Sequence, residues 1–372
     1  MRHLITAILL LAGLTAGAQN QIPGKIHFGL VYPLSTNGTH AALDTNNFSI
    51  NLIGGLSAAE RGAAFAGVSN VVVHDVKGSM FAGFSNHVAK TVNGALFAGF
   101  ANTYGGGKGP VFAGFSNVAA GDVNGGQFAG FANIAKNMKG AQAAGFANIA
   151  KNLDGAQFAG FANIAKNVSI SQFGGFANVA KNVKGSQFAG FINIAKNVKG
   201  TQVAGFMNIA DSSDCPIGII NLIKHGEKSV GLTVDENQTT MLSFRSGGRV
   251  LYGIIGGGYN FKNEDAVYAF EAGLGAHFFE SRNFRLNTEL IASTLTDFED
   301  GDFFKSSLRV MPALKIASFL EIFAGPTLNF ITTNTLEGEQ LNKKYIKKWE
   351  GKWDEDFRGL YFGYTGGIHV IF

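Results

Sequence analysis

The sequence predicts an all-β protein, an antiparallel meander closing into a large transmembrane β-barrel of about 20–22 strands. Three observations carry that prediction. One phrase of 15 or 16 residues is written ten times between residues 63 and 210. Charged residues make up only 15% of the chain, well below the usual quarter, while Gly (51) and Phe (34) are in excess. Downstream, residues 266–372 alternate so that one strand face stays nearly free of charge.

The repeat comes first. Its clearest copies are QFAGFANIAKNMKG (Gln127–Gly140), QFAGFANIAKNVSI (Gln157–Ile170) and QFAGFINIAKNVKG (Gln187–Gly200), and a degenerate eleventh copy follows at Ile217–Asn221. So regular a period means one supersecondary unit stacked on copies of itself. Each copy carries a single turn signal such as N-M-K-G or N-L-D-G, with Asn first and Gly last, the chemistry of a tight hairpin. Between turns, Gln127, Ala129, Phe131, Asn133 and Ala135 share one face, and Phe128, Gly130, Ala132 and Ile134 share the other. One turn per repeat implies one strand per repeat, hence a meander, with Phe131 opposite Phe146 and Asn133 opposite Ala144. The alternative is a β-solenoid repeat domain plus a small C-terminal β-barrel, with each repeat a full coil and Gln, Asn and Phe in ladders. A 15-residue coil needs two or three corners, and one turn signal per copy counts against it.

At the amino end, Arg2 and His3, the apolar run Leu4–Leu14 and the small residues Ala16-Gly17-Ala18 read as a signal peptide over 1–18, so the chain is expected to be exported. Residues 19–62 hold two lead-in strands, 25–33 and 47–56; residues 63–224 are repeat strands, and 225–372 are C-terminal barrel strands. No uninterrupted apolar run reaches the roughly 18 residues of a spanning helix. The lone Cys215 excludes a disulfide framework within the chain. A net charge of +4, with lysines spread one per turn, is solvated turn decoration and no nucleic-acid footprint.

The C-terminal strands give the clearest pattern. Tyr268, Phe270, Leu274 and Phe278 share one face, as do Phe284, Leu286 and Leu290, and Phe304, Leu308 and Leu314. The other face carries Glu271, Arg285, Glu289, Lys305, Arg309, Lys315 and Glu321, an apolar-out and polar-in dyad over segments long enough to cross a bilayer. Those seven residues are expected to face a barrel lumen, with Gln127, Asn133, Gln157 and Asn163 lining its opposite wall. In a water-filled barrel such groups bias the passage of small polar solutes; in a narrower one they are salt-bridged filler. If the terminal strand ends in the periplasm, the long segment 334–358 is external and the short turns near Ser318 and Glu280–Asn283 are periplasmic.

Reaction chemistry is sparse. The histidines show no metal-ligand spacing, and no G-x-S-x-G, H-E-x-x-H or P-loop pattern occurs. The acidic loop Asp297–Asp302 has the look of a calcium loop without its distal Glu, and reads as solvated. No enzyme activity and no cofactor are expected. Lys343, Lys344, Lys347, Lys348 and Lys352 beside Trp349 and Trp353 suit a charged surface loop, or contact with lipopolysaccharide phosphates.

The final strand, with Leu360, Phe362, Tyr364, Ile368, Val370 and Phe372 alternating, resembles the terminal recognition strand of bacterial outer-membrane barrels. That resemblance implies an outer-membrane location and engagement by the barrel-assembly machinery. Over residues 25–261 the A-G-F-x-N repeats, the IHFGLVYPLSTNG lead-in and SFRSGGRVLYGIIGGGYNF resemble a family of bacterial surface-repeat proteins. This implies a cell-envelope location and no established activity. Two functions follow as expectations: a passive pore or structural envelope component in the outer membrane, or a surface-exposed repeat protein for adhesion or protein interaction.

Overall fold

The computed structural model describes residues 25–248, 250–264, 266–299, 303–350 and 357–372. The signal segment 1–18, Asp300–Asp302 of the acidic loop, and Lys352 and Trp353 of the long loop lie outside the described residues. The chain forms two units, Met1–Gly121 and Asp122–Phe372.

The first unit is a stack of parallel strands. Lys25–Val31 pairs parallel with Thr45–Asn51, which pairs parallel with Ala59–Ala66. The ladder continues one copy at a time through Met80–Ala82 and Leu96–Ala98. A second ladder runs from Gly54–Ser57 through Ser69–Val72 to Ser85–Asn93. The lead-in strands therefore belong to the same stack as the repeats. They are joined by the 3-10 turn Gly38–Leu43 and pair with no antiparallel lead-in partner apart from the two-residue Leu34–Ser35.

The second unit opens with the same construction. Ala132–Ala144 lies parallel and in register on Ala147–Ala159, so that Asn133 meets Asn148, Ile134 meets Ile149 and Gln142 meets Gln157. The repeats are thus coils of a parallel β-solenoid, and the antiparallel meander is corrected, together with the barrel of 20–22 strands that it implied. The reason is the fate of the amides. In the antiparallel register Asn133 would face Ala144 and bury an amide with no partner, at about 1–3 kcal/mol for each orphaned group. Stacked on its own copy, each amide meets another, and amides are self-complementary.

The corners also differ from expectation. The strand Ala132–Ala144 runs straight through N-M-K-G, where Gly140 at φ +126° turns the chain aside without reversing it. A further corner lies at A-G-F. A Cβ on Gly160 would sit 2.2 Å from the carbonyl oxygen of Gly145, so only glycine allows successive coils to close there.

After Ile223 the architecture changes. Eight strands pair antiparallel in chain order: Lys228–Asp235, Thr239–Gly247, Leu251–Asn260, Tyr268–Phe278, Phe284–Thr296, Phe303–Ala317, Leu320–Thr333 and Phe357–Ile371. The last returns to the first, with Ser229 opposite Ile371 and Asp235 opposite Thr365, and the barrel is closed. The four residues Lys347–Glu350 add a short strand on the free early part of Phe357–Ile371. Closure removes the unpaired edges that a sheet would otherwise expose.

Within this unit the last coil sits on one end of the barrel. Asn221 donates its backbone N–H to Ser246 Oγ at 3.0 Å, and a Cβ on Gly253 would lie 2.1 Å from the oxygen of Ile219. The turns at that end, 279–283 and 318–319, are short, while the other end carries the short turn 236–238 and the connections that leave Asn260, Thr296 and Thr333.

Candidate functional site

Two features carry chemistry: the barrel interior and the columns of the coils. In the barrel, alternation sends every second side chain inward. Glu271, Arg285, Glu289, Lys305, Arg309 and Glu321 are all buried there. Eight strands enclose just enough space for side chains, so these groups meet one another. Glu289 accepts from Arg245 Nε at 2.8 Å and from the Tyr252 hydroxyl at 3.1 Å, and Arg309 stands 3.6 Å from its second oxygen. Arg309 also bonds Glu271 at 2.8 Å, whose other oxygen accepts from Ser243. Nearer the coil end, Glu321 pairs with Arg285 at 2.6 Å, accepts from Asn287 at 2.8 Å and faces His369 Nδ1 at 3.1 Å. Glu227 reaches the same guanidinium from below at 2.7 Å.

Toward the long-loop end, Lys305 pairs with Asp235 at 2.5 Å. An apolar cluster of Met241, Leu295, Phe303, Ile331, Leu341 and Phe357 closes the interior above it. Leu341 belongs to the inward-folded loop after the helix Leu336–Gln340, which Thr335 caps by accepting from the Gly338 N–H. A cavity among Asp235, Thr239, Glu271, Lys305 and Arg309 measures about 10 Å³, room for roughly one water. Charges this deep are costly unless paired and hydrogen-bonded, and here each carboxylate has two or more partners.

Lys315 stands apart from the rest, at the turn, where it bonds Glu280 at 3.0 Å and holds that carboxyl below its ordinary range. Sequence reasoning missed Arg245, Tyr252 and His369. The signal was present in L-S-F-R-S, where Ser243 and Arg245 alternate with Leu242 and Phe244 as the later strands do.

Gln127, Asn133, Gln157 and Asn163 line no barrel wall, which corrects their assignment. All four are fully buried inside the coils. Asn148 Nδ2 donates to Asn163 Oδ1 at 3.0 Å and to the carbonyl of Phe158 at 2.6 Å, and Asn163 repeats both bonds one coil on. The glutamines run the other way: Gln157 donates to Gln142 at 2.7 Å, and Gln172 to Gln157 at 2.9 Å. Asn221 of the degenerate copy closes the asparagine column at 2.8 Å, whereas Pro216 stands where the glutamine column would continue.

In the first unit the acid Glu60 is buried, accepting from Asn46 at 3.0 Å and Ser49 at 2.8 Å, and burial pushes its carboxyl above the ordinary value. Among the described residues no group of three or more His, Cys, Asp or Glu is arranged to hold a metal ion.

The fold therefore defines a class, a parallel β-solenoid followed by a closed eight-stranded antiparallel barrel. No family model matches the sequence, and no curated protein matches it. Among solved structures, Neisserial surface protein A is similar at 10% identity, over 39% of this chain and 92% of that one, with a TM-score of 0.22.

Proposed function

We propose that the barrel is an outer-membrane anchor and that the coils it carries are a structural envelope component on its periplasmic side. One observation carries the reading: the barrel is apolar outside and ion-paired inside. Leu242, Tyr268, Leu290, Leu314, Phe362 and Tyr364 are 47–72% exposed, while Arg245, Glu271, Glu289 and Arg309 of the same sheet are buried. Water would invert that arrangement; hydrocarbon favours it. Aromatic side chains gather near both ends, Tyr259, Phe261 and Phe298 at one and Phe279, Phe319 and Phe372 at the other, as interfacial girdles do.

The filled interior favours an anchor over a pore for small solutes. The coils sit at the short-turn end, which in such barrels faces the periplasm. The long-loop end, with Lys343, Lys344 and Lys347, then meets lipopolysaccharide phosphates, and the terminal strand Phe357–Ile371 is what the assembly machinery engages. No bond-making activity is part of this reading.

Protease treatment of intact cells tests the orientation. The coils should survive until the outer membrane is permeabilised; digestion on intact cells would instead favour a surface-exposed adhesion module. A purified mature chain that stays monomeric in plain buffer would overturn the membrane anchor. In planar bilayers a flat current trace is expected, and stepwise conductance would restore the pore.

A further inference from the structure

The coils of the second unit present their outward side chains in a fixed order, and that order is amphipathic. Most copies run a Phe from Q-F-A, the Phe of A-G-F, the Ile of N-I-A, and then lysine, with Ala143 and Val203 at the first position, Val179 at the third and Asp211 at the fourth as the departures. Because the copies stack in register, each position becomes a column about 4.8 Å per step. Phe146, Phe161, Phe176 and Phe191 are 42–43% exposed, and Ile149, Ile164 and Ile194 are 37–42% exposed beside them. This unbroken apolar strip bends around the A-G-F corner as a wedge. It exceeds the scattered exposure normal for a water-facing surface.

The geometry selects among possible occupants. Successive rings lie 4.9–5.0 Å apart and within 10° of parallel, so each ring face is covered by the next ring and only edges point outward. A sugar ring stacks on aromatic faces, which this column has already used. Acyl chains ask only for hydrocarbon, which edges supply. A lysine column borders the wedge on one side, Lys136, Lys151, Lys166 and Lys181 after the N-I-A or N-V-A step; the column on the other side is mixed, reading Lys139, Asp154, Ser169, Lys184 and Lys199. Like charges stacked a strand spacing apart repel, and an anionic surface relieves that repulsion. A second copy of the chain docked through the same wedge would bring a second lysine column to it.

We propose that this side of the coils lies on an anionic phospholipid leaflet, with the Phe and Ile columns among acyl chains and the lysines at phosphate level. Apolar residues flanked by lysines whose stems span the boundary are the physics of in-plane interfacial binding. The anchor reading enters only in naming the leaflet as the inner one of the membrane that the barrel spans.

The test uses the full mature chain with Trp349→Phe and Trp353→Phe, and Phe161→Trp as a depth probe, reconstituted into vesicles containing acyl-brominated phosphatidylcholine. With phosphatidylglycerol at about a third of the lipid, blue-shifted emission quenched by roughly half or more is expected. Quenching should fall away in zwitterionic vesicles, at high salt, and in Lys136→Gln/Lys151→Gln/Lys166→Gln/Lys181→Gln. That loss corresponds to leaflet affinity weakened on the order of a hundredfold or more. A probe at Asp154→Trp, outside the wedge, should stay unquenched.

Solvent-like, unquenched emission at position 161 in anionic vesicles would overturn the proposal. If cross-linking then shows dimers, a second copy is the occupant. Insertion of residues 228–372 is scored separately by protease resistance. A barrel that fails to insert sinks the anchor, while quenching at 161 on the vesicle surface still decides for or against the leaflet contact.

Discussion

The coils and the barrel solve one problem, a polar interior, with opposite means. In the coils of the second unit the buried groups are neutral amides, and each is satisfied by the same residue one turn of the solenoid away. In the barrel they are charges, and each is satisfied by particular, non-repeating partners on other strands, as Arg245 is by Glu289 across 44 residues. The first arrangement is repetitive and local, so its energetics approximate a sum over neighbouring coils. The second is singular and closed, and losing one member leaves another charge stranded in a low-dielectric interior.

Four perturbations probe that contrast, in descending order of effect. Glu289→Ala strands Arg245 beside Arg309 and is expected to destabilise the barrel by about 3–5 kcal/mol, read from the urea midpoint of the detergent-solubilised chain. A shift below about 1 kcal/mol would mean that water already screens the site. Asn163→Ala orphans the Asn148 N–H, the Asn178 oxygen and the Phe173 carbonyl, and should cost about 3 kcal/mol. Its signature is spatial: faster hydrogen exchange confined to the adjacent coils, where Glu289→Ala should loosen the whole barrel. Uniform loosening after Asn163→Ala would erase the distinction drawn here.

Gly160→Ala forces a Cβ against the Gly145 carbonyl and should cost about 1–3 kcal/mol by the same measurement. The smallest effect is a matter of pH. Burial raises the Glu60 carboxyl above its unfolded value of 4.5, so its contribution is fully present below that pH and is lost as pH rises through the folded-state value. Glu60→Gln keeps an acceptor for Asn46 and Ser49 without the charge. It should stabilise the first unit at neutral pH and match the parent in acid; an equal gain at both pH values would refute the linkage.

Much of this was readable in advance, and the unreadable part has a physical cause. In the C-terminal strands the alternation separates a charged face from an apolar one, and a slip of one residue would move every side chain to the opposite face. Glu271, Arg285, Glu289 and Arg309 lie buried in an eight-stranded barrel, far smaller than one of 20–22 strands. In the coils the alternation was equally legible, but pairing direction is not written in alternation. N-x-x-G fits a hairpin turn and a solenoid corner alike, since both need a glycine of unusual φ. The telling signal was identity: polar Asn133, Asn148 and Asn163 recur without drift, which an antiparallel neighbour would never require and a parallel one rewards at every step.

The glycine at the A-G-F corner has one more implication. Because it makes every coil close on its predecessor through the same backbone approach, from Gly145 on Gly130 to Gly205 on Gly190, any coil is interchangeable with the next. A deletion or duplication of fifteen residues, begun at any point in this stretch, would leave a seamless joint. The length of this stretch is thus adjustable by recombination in increments of about 4.8 Å, with no redesign of the coils that flank the joint.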